Sequence, residues 1–329
     1  MDDTAFPGLP TPPPLGASAL PPGTYDGSLV LVTGGGTGLG KAIAAEFARL
    51  GADLLIVSRR ERHLSRARAE LAGLGTRVDS AVCDVRDPKR ISEVFDGCAL
   101  PDVLVNNAAA NFPVPTEDMS PNAWQAVVDI TLTGTFLMTR EFGRRHLAAG
   151  TPGSVIDVGA SYAWTGGPGF AHSAAAKAGV ESLVRTLAVE WGPYGIQVNA
   201  LVPGLMPHED MTDAIRGNLT RASVAPGATD GGSTGNGGTA RAWEGSEGGG
   251  GGGGEGGRGR GALDRRQPAL RVGAPRELGW AATFLASPYA RFITGHTLVV
   301  DGANWQRRDL VAPPVTPVRD QLGRGPFTG

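Results

Sequence analysis

The stretch "LVLVTGGGTGLGKAIAAEFARLG", residues 29–51, carries two periodicities joined by a glycine-rich turn. Leu29 to Thr33 is a short β-rich run, apolar on both faces, as a strand buried between two helix layers requires. From Gly38 onward the pattern turns helical. Between the two, Gly34, Gly38 and Gly40 permit a tight turn, close approach of backbone to a pyrophosphate, and close packing of helix on strand. The helix N-terminus adds free N–H groups and a partial positive charge, which suit phosphate. A flexible turn is the plainer reading, but a strand before and a helix after make a dinucleotide site the stronger one.

Outward from that unit the alternation continues. β-rich runs at 53–58, 77–85, 103–107, 154–159, 196–203 and 296–302 alternate with helical patterns near 38–50, 60–73, 87–96, 120–147, 171–191 and 275–287. The order predicts an α/β fold: one Rossmann-type, doubly wound parallel sheet of about seven strands with helices on both faces. Residues 1–26 are rich in proline and small residues and read as an extended, weakly ordered arm. Half of residues 227–262 are glycine, with an unbroken run from Gly248 to Gly254. That composition has no apolar surface to offset its ordering entropy and reads as an insertion in a surface loop of the 27–303 domain. "RGRG" at 258–261 is too short to argue for RNA, and residues 304–329 form a second proline-rich segment.

Charge is nearly balanced, with 30 basic against 32 acidic residues, so no global electrostatic case exists for nucleic acid or a membrane surface. Two cysteines give neither a disulfide framework nor a metal-ligand cluster. The acidic, proline-rich beginning does not fit a signal peptide, no apolar run approaches the ~20 residues of a membrane span, and "FTG" is no targeting tripeptide. These features lead to an expectation of a cytoplasmic location. At the end of the second strand, "IVSRRER" puts Ser58, Arg59 and Arg60 where an NAD site would want a carboxylate. A hydroxyl and two guanidiniums suit a ribose 2′-phosphate, so NADPH is the expected cofactor.

Thr33-Gly34-x-x-x-Gly38-x-Gly40, "NNAA" at 106–109 and "PG" at 203–204 together resemble the short-chain dehydrogenase/reductase family over residues 27–303, apart from the insertion. The resemblance implies a cofactor-binding set of Thr33, Gly34, Thr37, Gly38, Leu39, Gly40, Ser58, Arg59, Arg60, Asp84, Val85, Asn106, Asn107, Ala108, Lys177, Pro203, Gly204 and Met206. It also implies Ser, Tyr and Lys catalysts with an Asn on the long helix. Here the tyrosine position, four before Lys177, is Ser173; the serine position is Ala160; and the helix asparagine is Thr131. Alcohol–ketone chemistry needs a phenol of lowered pKa, which a serine hydroxyl cannot replace.

"NNAAANF", "PTEDMSPNAW" (115–124), "SYA" (161–163) and "SAAAKAGVE" (173–181) resemble the 2,4-dienoyl-CoA reductase branch, which departs from the family in this way. The resemblance implies Tyr162 and Asn111 as the substituted site, with Lys177 and Ser173 beside them. It implies Phe112, Ser120 and Arg271 as substrate contacts, an acyl-CoA substrate and a homotetramer formed through the helices at 120–147 and 171–191.

Ser173 and Lys177 lie one helical turn apart, a spacing also found in Ser-Lys hydrolases. That reading would leave the dinucleotide site idle. Ser173 can equally be a helix N-cap, Tyr162 a packing ring at a strand end, and Asn111 a turn residue. Two rivals stay open: a family reductase acting on an enoyl-CoA, 3-ketoacyl or other carbonyl substrate, and a catalytically silent NADP-binding subunit or sensor.

Overall fold

The computed structural model describes residues 8–14, 16–208, 211, 264–307 and 316–324. The glycine-rich stretch at 227–262 lies outside them. Seven parallel strands, β1 (Leu29–Thr33), β2 (Asp53–Ser58), β3 (Val78–Val82), β4 (Val103–Asn106), β5 (Gly153–Val158), β6 (Ile196–Pro203) and β7 (Thr297–Val300), lie in the order β3-β2-β1-β4-β5-β6-β7. The chain runs outward from β1 to β3, then returns to place β4 beside β1, with Thr33 in register with Asn106. Reversal of strand order opens a crevice beyond the carboxyl ends of β1 and β4, where a doubly wound sheet binds its ligand.

Side chains alternate along each strand, and both faces are covered. Val30 and Val32 belong to one core with α1 (Gly38–Arg49), α2 (Glu61–Ala72) and α8 (Pro275–Ala286). Leu29 and Leu31 belong to the other, with α3 (Pro88–Asp96), α5 (Gly134–Ala149) and α7 (Ala171–Trp191). Phe47 and Phe142, one in each core, are fully buried; each such side chain contributes roughly 1.5–3 kcal/mol of apolar burial.

The helix expected over 120–147 is two helices, α4 (Pro121–Val128) and α5, joined by a π turn at Asp129–Thr133. The reason is tertiary. Thr131 in that turn is fully buried, and its Oγ1 accepts the Ala110 N–H at 3.2 Å, tying the widened turn to the loop after β4.

The described part of the arm, expected to be weakly ordered, makes specific contacts with the domain. Leu9 N–H donates to Ala269 O, Arg271 donates to Pro10 O, Arg276 to Pro13 O, and Trp280 Nε1 to Ala17 O. Tyr25 is 4% exposed, meets Phe47 edge-on and donates its hydroxyl to Thr283 O. Prolines lack donors but keep carbonyls, and here side chains from the far end of the chain use them. In the second proline-rich segment, Arg319 on the short helix α9 (Val318–Gln321) pairs with Glu117 and Asp118.

Candidate active site

The glycine turn fits a pyrophosphate. Gly34 and Gly38 take φ of 65° and 54°, in the left-handed region that favours glycine. A Cβ on Gly40 would run into the Asn107 side chain and the Gly34 carbonyl. The N-cap of α1, Thr37, makes no side-chain capping bond, and no acidic residue occupies the first turn, so the positive end of the helix suits an anion. Thr33 Oγ1 accepts N–H bonds from Asn107 and Ala108 at 3.0 Å each, and Asn107 Nδ2 donates to the Thr33 and Gly34 carbonyls. These bonds fasten the loop after β4 to the turn.

Ser58, Arg59 and Arg60 follow at the end of β2, with both arginines exposed and in no ion pair among the described residues. Ser58 Oγ accepts the Arg60 N–H, which shapes that corner. Asp84 is held by Arg86 through side-chain and backbone bonds, and those bonds keep its carboxyl below the usual carboxylate range. Val85 is buried against the π-turn side of α5, where it meets Gly134. Asn106 differs from its expected place in the cofactor loop: 3% exposed, it turns its amide into the core, donating to Thr139 Oγ1 and Asp157 Oδ1 at 2.8 Å each.

Beyond the carboxyl ends of β4 and β5 the expected catalytic residues come together. Asn111 Nδ2 donates to Tyr162 Oη at 3.3 Å, and Tyr162 Oη shares a 3.0 Å bond with Ser173 Oγ. Tyr162 stands on the one-turn helix α6 (Tyr162–Thr165) rather than at a strand end, with its ring parallel to Phe170, centroids 6.1 Å apart. Burial pushes its phenol upward, and the Ser173 bond offsets part of that. The phenol therefore stays protonated, as a hydrogen-bond donor must. Ser173 is not an N-cap: α7 begins at Ala171, and Ser173 sits buried inside its first turn. Lys177, one turn further along α7, is 6% exposed and donates to the Val158 carbonyl.

Sequence reasoning missed Asp157, next to Val158 in β5 and fully buried. Burial pushes its carboxyl up to about 7, against the opposing pull of Asn106 and Lys177. Burial lowers Lys177 to about 8, against the opposing effect of Asp157. The signal was visible: an aspartate inside "SVIDVG" is a charge in a strand otherwise apolar enough for burial.

The expected substrate contacts are scattered. Phe112, 37% exposed, meets the buried His172, the neighbour of Ser173, edge-on at 4.6 Å. Ser120 caps α4, its Oγ accepting the Ala123 N–H. Arg271 forms a two-pronged pair with Glu277 at 2.8 Å. It lines a cavity of about 300 Å³ with Gly204, Met206, Asp301 and Trp305 at the ends of β6 and β7. Met206 is 5% exposed and packs in the core, while the Pro203–Gly204 backbone lies against β7. Among the described residues no three His, Cys, Asp or Glu side chains gather as metal ligands, and no helix is long and apolar enough to cross a membrane.

Comparison with known proteins accords with this geometry. The short chain dehydrogenase family pattern matches residues 28–219, and that of the enoyl-(acyl carrier protein) reductases matches 253–303. The chain is 35% identical over 290 residues to a probable 2,4-dienoyl-CoA reductase, (3E)-enoyl-CoA-producing, of Caenorhabditis elegans, covering 85% of this chain and 81% of the relative. It is 33% identical over 284 residues to a probable 2,4-dienoyl-CoA reductase, (2E)-enoyl-CoA-producing, of Bacillus subtilis, covering 84% and 96%. A solved structure from Beutenbergia cavernae, described as a candidate NAD(P)-dependent gluconate 5-dehydrogenase with NADP bound at low occupancy, superposes with a TM-score of 0.70. It shares 29% identity and covers 87% of this chain and 100% of that one. The chain belongs to the short-chain dehydrogenase/reductase family of oxidoreductases, and it resembles the 2,4-dienoyl-CoA reductases within it.

Proposed function

We propose that this oxidoreductase uses NADPH to reduce a 2,4-dienoyl-CoA thioester to the 3-enoyl-CoA, a step in the β-oxidation of unsaturated fatty acids. The observation that carries the proposal is the bonded series Asn111–Tyr162–Ser173, one turn from Lys177, in place of the ketoreductase set. The glycine turn and the end of β2 would hold NADPH in the β1/β4 crevice, and the cofactor would supply hydride to the substrate.

With hydride delivered at C5, the two double bonds move inward and charge develops on the thioester oxygen. Two donors suit that oxygen. Tyr162 Oη can accept bonds from both Asn111 and Ser173, which leaves its own O–H to donate. Asn111 spends one N–H on Tyr162 and keeps the second. A preorganised donor of this kind is worth about 3–4 kcal/mol in the transition state. The charge collapses as Cα takes a proton from the Tyr162 hydroxyl, giving C3=C4 unsaturation, and a proton from water, passed by way of the Lys177 ammonium and the Ser173 hydroxyl, restores the phenol. Lys177 holds the ribose side of the cofactor from a buried seat. Reaction in D₂O tests the scheme: one deuterium at Cα and a C3=C4 double bond by NMR support it. A C2=C3 double bond, the product type in the name of the Bacillus subtilis relative, overturns the protonation step.

NADPH preference rests on Arg59 and Arg60, exposed beside the crevice. A charge-assisted bond to a 2′-phosphate contributes about 1.5–3 kcal/mol. Replacing both arginines with alanine should therefore lower kcat/KM for NADPH by about tenfold or more and leave that for NADH unchanged. An equal loss with both cofactors would remove the assignment. The assembly we propose is a homotetramer, for which the exposed Trp124, Phe136 and Val189 on α4, α5 and α7 supply apolar surface; light scattering at the monomer mass would refute it.

A further inference from the structure

We propose that Asp157 is a positioning residue for Lys177: a buried carboxylate whose charge keeps the lysine ammonium protonated on the Val158 carbonyl. The two residues are neighbours at the end of β5 without a direct ion pair. Lys177 donates to the carbonyl of Val158, and Asp157 is the residue before it. Asp157 stands in register with Asn106 of β4 and Ala200 of β6. Asn106 Nδ2 donates to its Oδ1 at 2.8 Å, while Oδ2 is buried with no hydrogen-bond partner.

A structural role alone does not account for this carboxylate. One accepted bond from Asn106 could equally go to an amide or hydroxyl oxygen. Each would serve without the cost of burying charge, which is several kcal/mol for an isolated ion. What aspartate adds at this position is a negative charge. The opposite charge that acts on it is Lys177, and the charge that acts on Lys177 is Asp157. The surrounding groups supply no substitute. From β4 comes Asn106, from α5 Thr139, and from α6 the protonated Tyr162 by way of Ser173. On α7 itself, His172 is buried, which favours its neutral form, and the Glu181 carboxylate is paired with Arg185 at 3.7 Å.

The sign follows from the two opposed influences on Lys177. Burial lowers its proton affinity and Asp157 raises it, so neutralising Asp157 must lower it further. This inference rests on the reading that Lys177 serves the reacting centre, but its test reads the lysine directly. The chain has only three lysines, Lys41, Lys89 and Lys177. Labelling with [ε-¹³C]lysine should give three signals, with Lys41 and Lys89 as references for the fold.

In the full-length chain without substrate, the Lys177 signal should titrate below the other two. In Asp157→Asn it should titrate lower still, by about tenfold or more in proton affinity, with Lys41 and Lys89 unmoved. A Lys177 titration that is the same in both proteins overturns the proposal. If Asp157→Asn disturbs the two reference signals, Asp157→Ser is read against the same criterion. Because no substrate enters the measurement, this result and the fate of the reductase reading are separable.

Discussion

Tyr162→Phe should lower kcat on a 2,4-dienoyl-CoA by about 10²- to 10³-fold. The ring would remain against Phe170, and the glycine turn would be untouched, so NADPH affinity should not change. What disappears is one donor to the thioester oxygen and the last carrier of the proton to Cα. The loss should fall on kcat rather than KM, because both roles act as charge develops and not when substrate binds. Burial keeps the phenol protonated, so no decline in rate from phenol ionisation is expected through neutral pH. Stopped-flow of NADPH oxidation at saturating substrate separates the outcomes. A variant with wild-type kcat would show that Tyr162 only packs.

The second large effect is expected from Asn111→Asp. The substitution keeps the shape and replaces the Nδ2 donor with an acceptor. Asn111 Oδ1 is already buried without a hydrogen-bond partner, so a carboxylate there would put negative charge where the transition state gathers it. Loss of the donor alone should cost about 10²-fold in kcat, and the misplaced charge should add to that. The variant should recover activity as pH falls and the new carboxyl protonates, which a purely structural defect would not show. A flat pH profile at wild-type rate would put Asn111 outside the reaction.

Residues 29–51 made the fold legible because strand and helix there have different periods and the glycines between them have one good physical use. All seven strands and the long helices followed from the same alternation. The interruption at 129–133 did not, because the π turn is tied by Thr131 to Ala110, a contact between elements that no local pattern encodes. Nor did the packing of the arm, whose carbonyls at Pro10, Pro13 and Ala17 are bonded by side chains more than 250 residues later.

At the site, the resemblance named Asn111, Tyr162 and Ser173, which the structure joins in one hydrogen-bonded series, and spacing alone would not have paired a loop with two helices. Two local settings differ from the reading of the residues: Ser173 lies inside α7 and not at its N-cap, and Asn106 turns its amide into the core. An N-cap rule sees hydroxyls but not where a helix begins, and a loop motif does not say which way its first amide turns. Asp157 was readable as an anomaly in its strand, but its meaning needed Lys177 beside it.

The most direct test of the account is NADPH oxidation by the purified chain with a trans-2,trans-4-dienoyl-CoA and, separately, with a 3-ketoacyl-CoA. The account predicts turnover of the dienoyl thioester and none of the keto substrate. Turnover of the 3-ketoacyl-CoA with the dienoyl thioester inert would contradict it, because Ser173 would then be doing what a serine hydroxyl is too weak an acid to do.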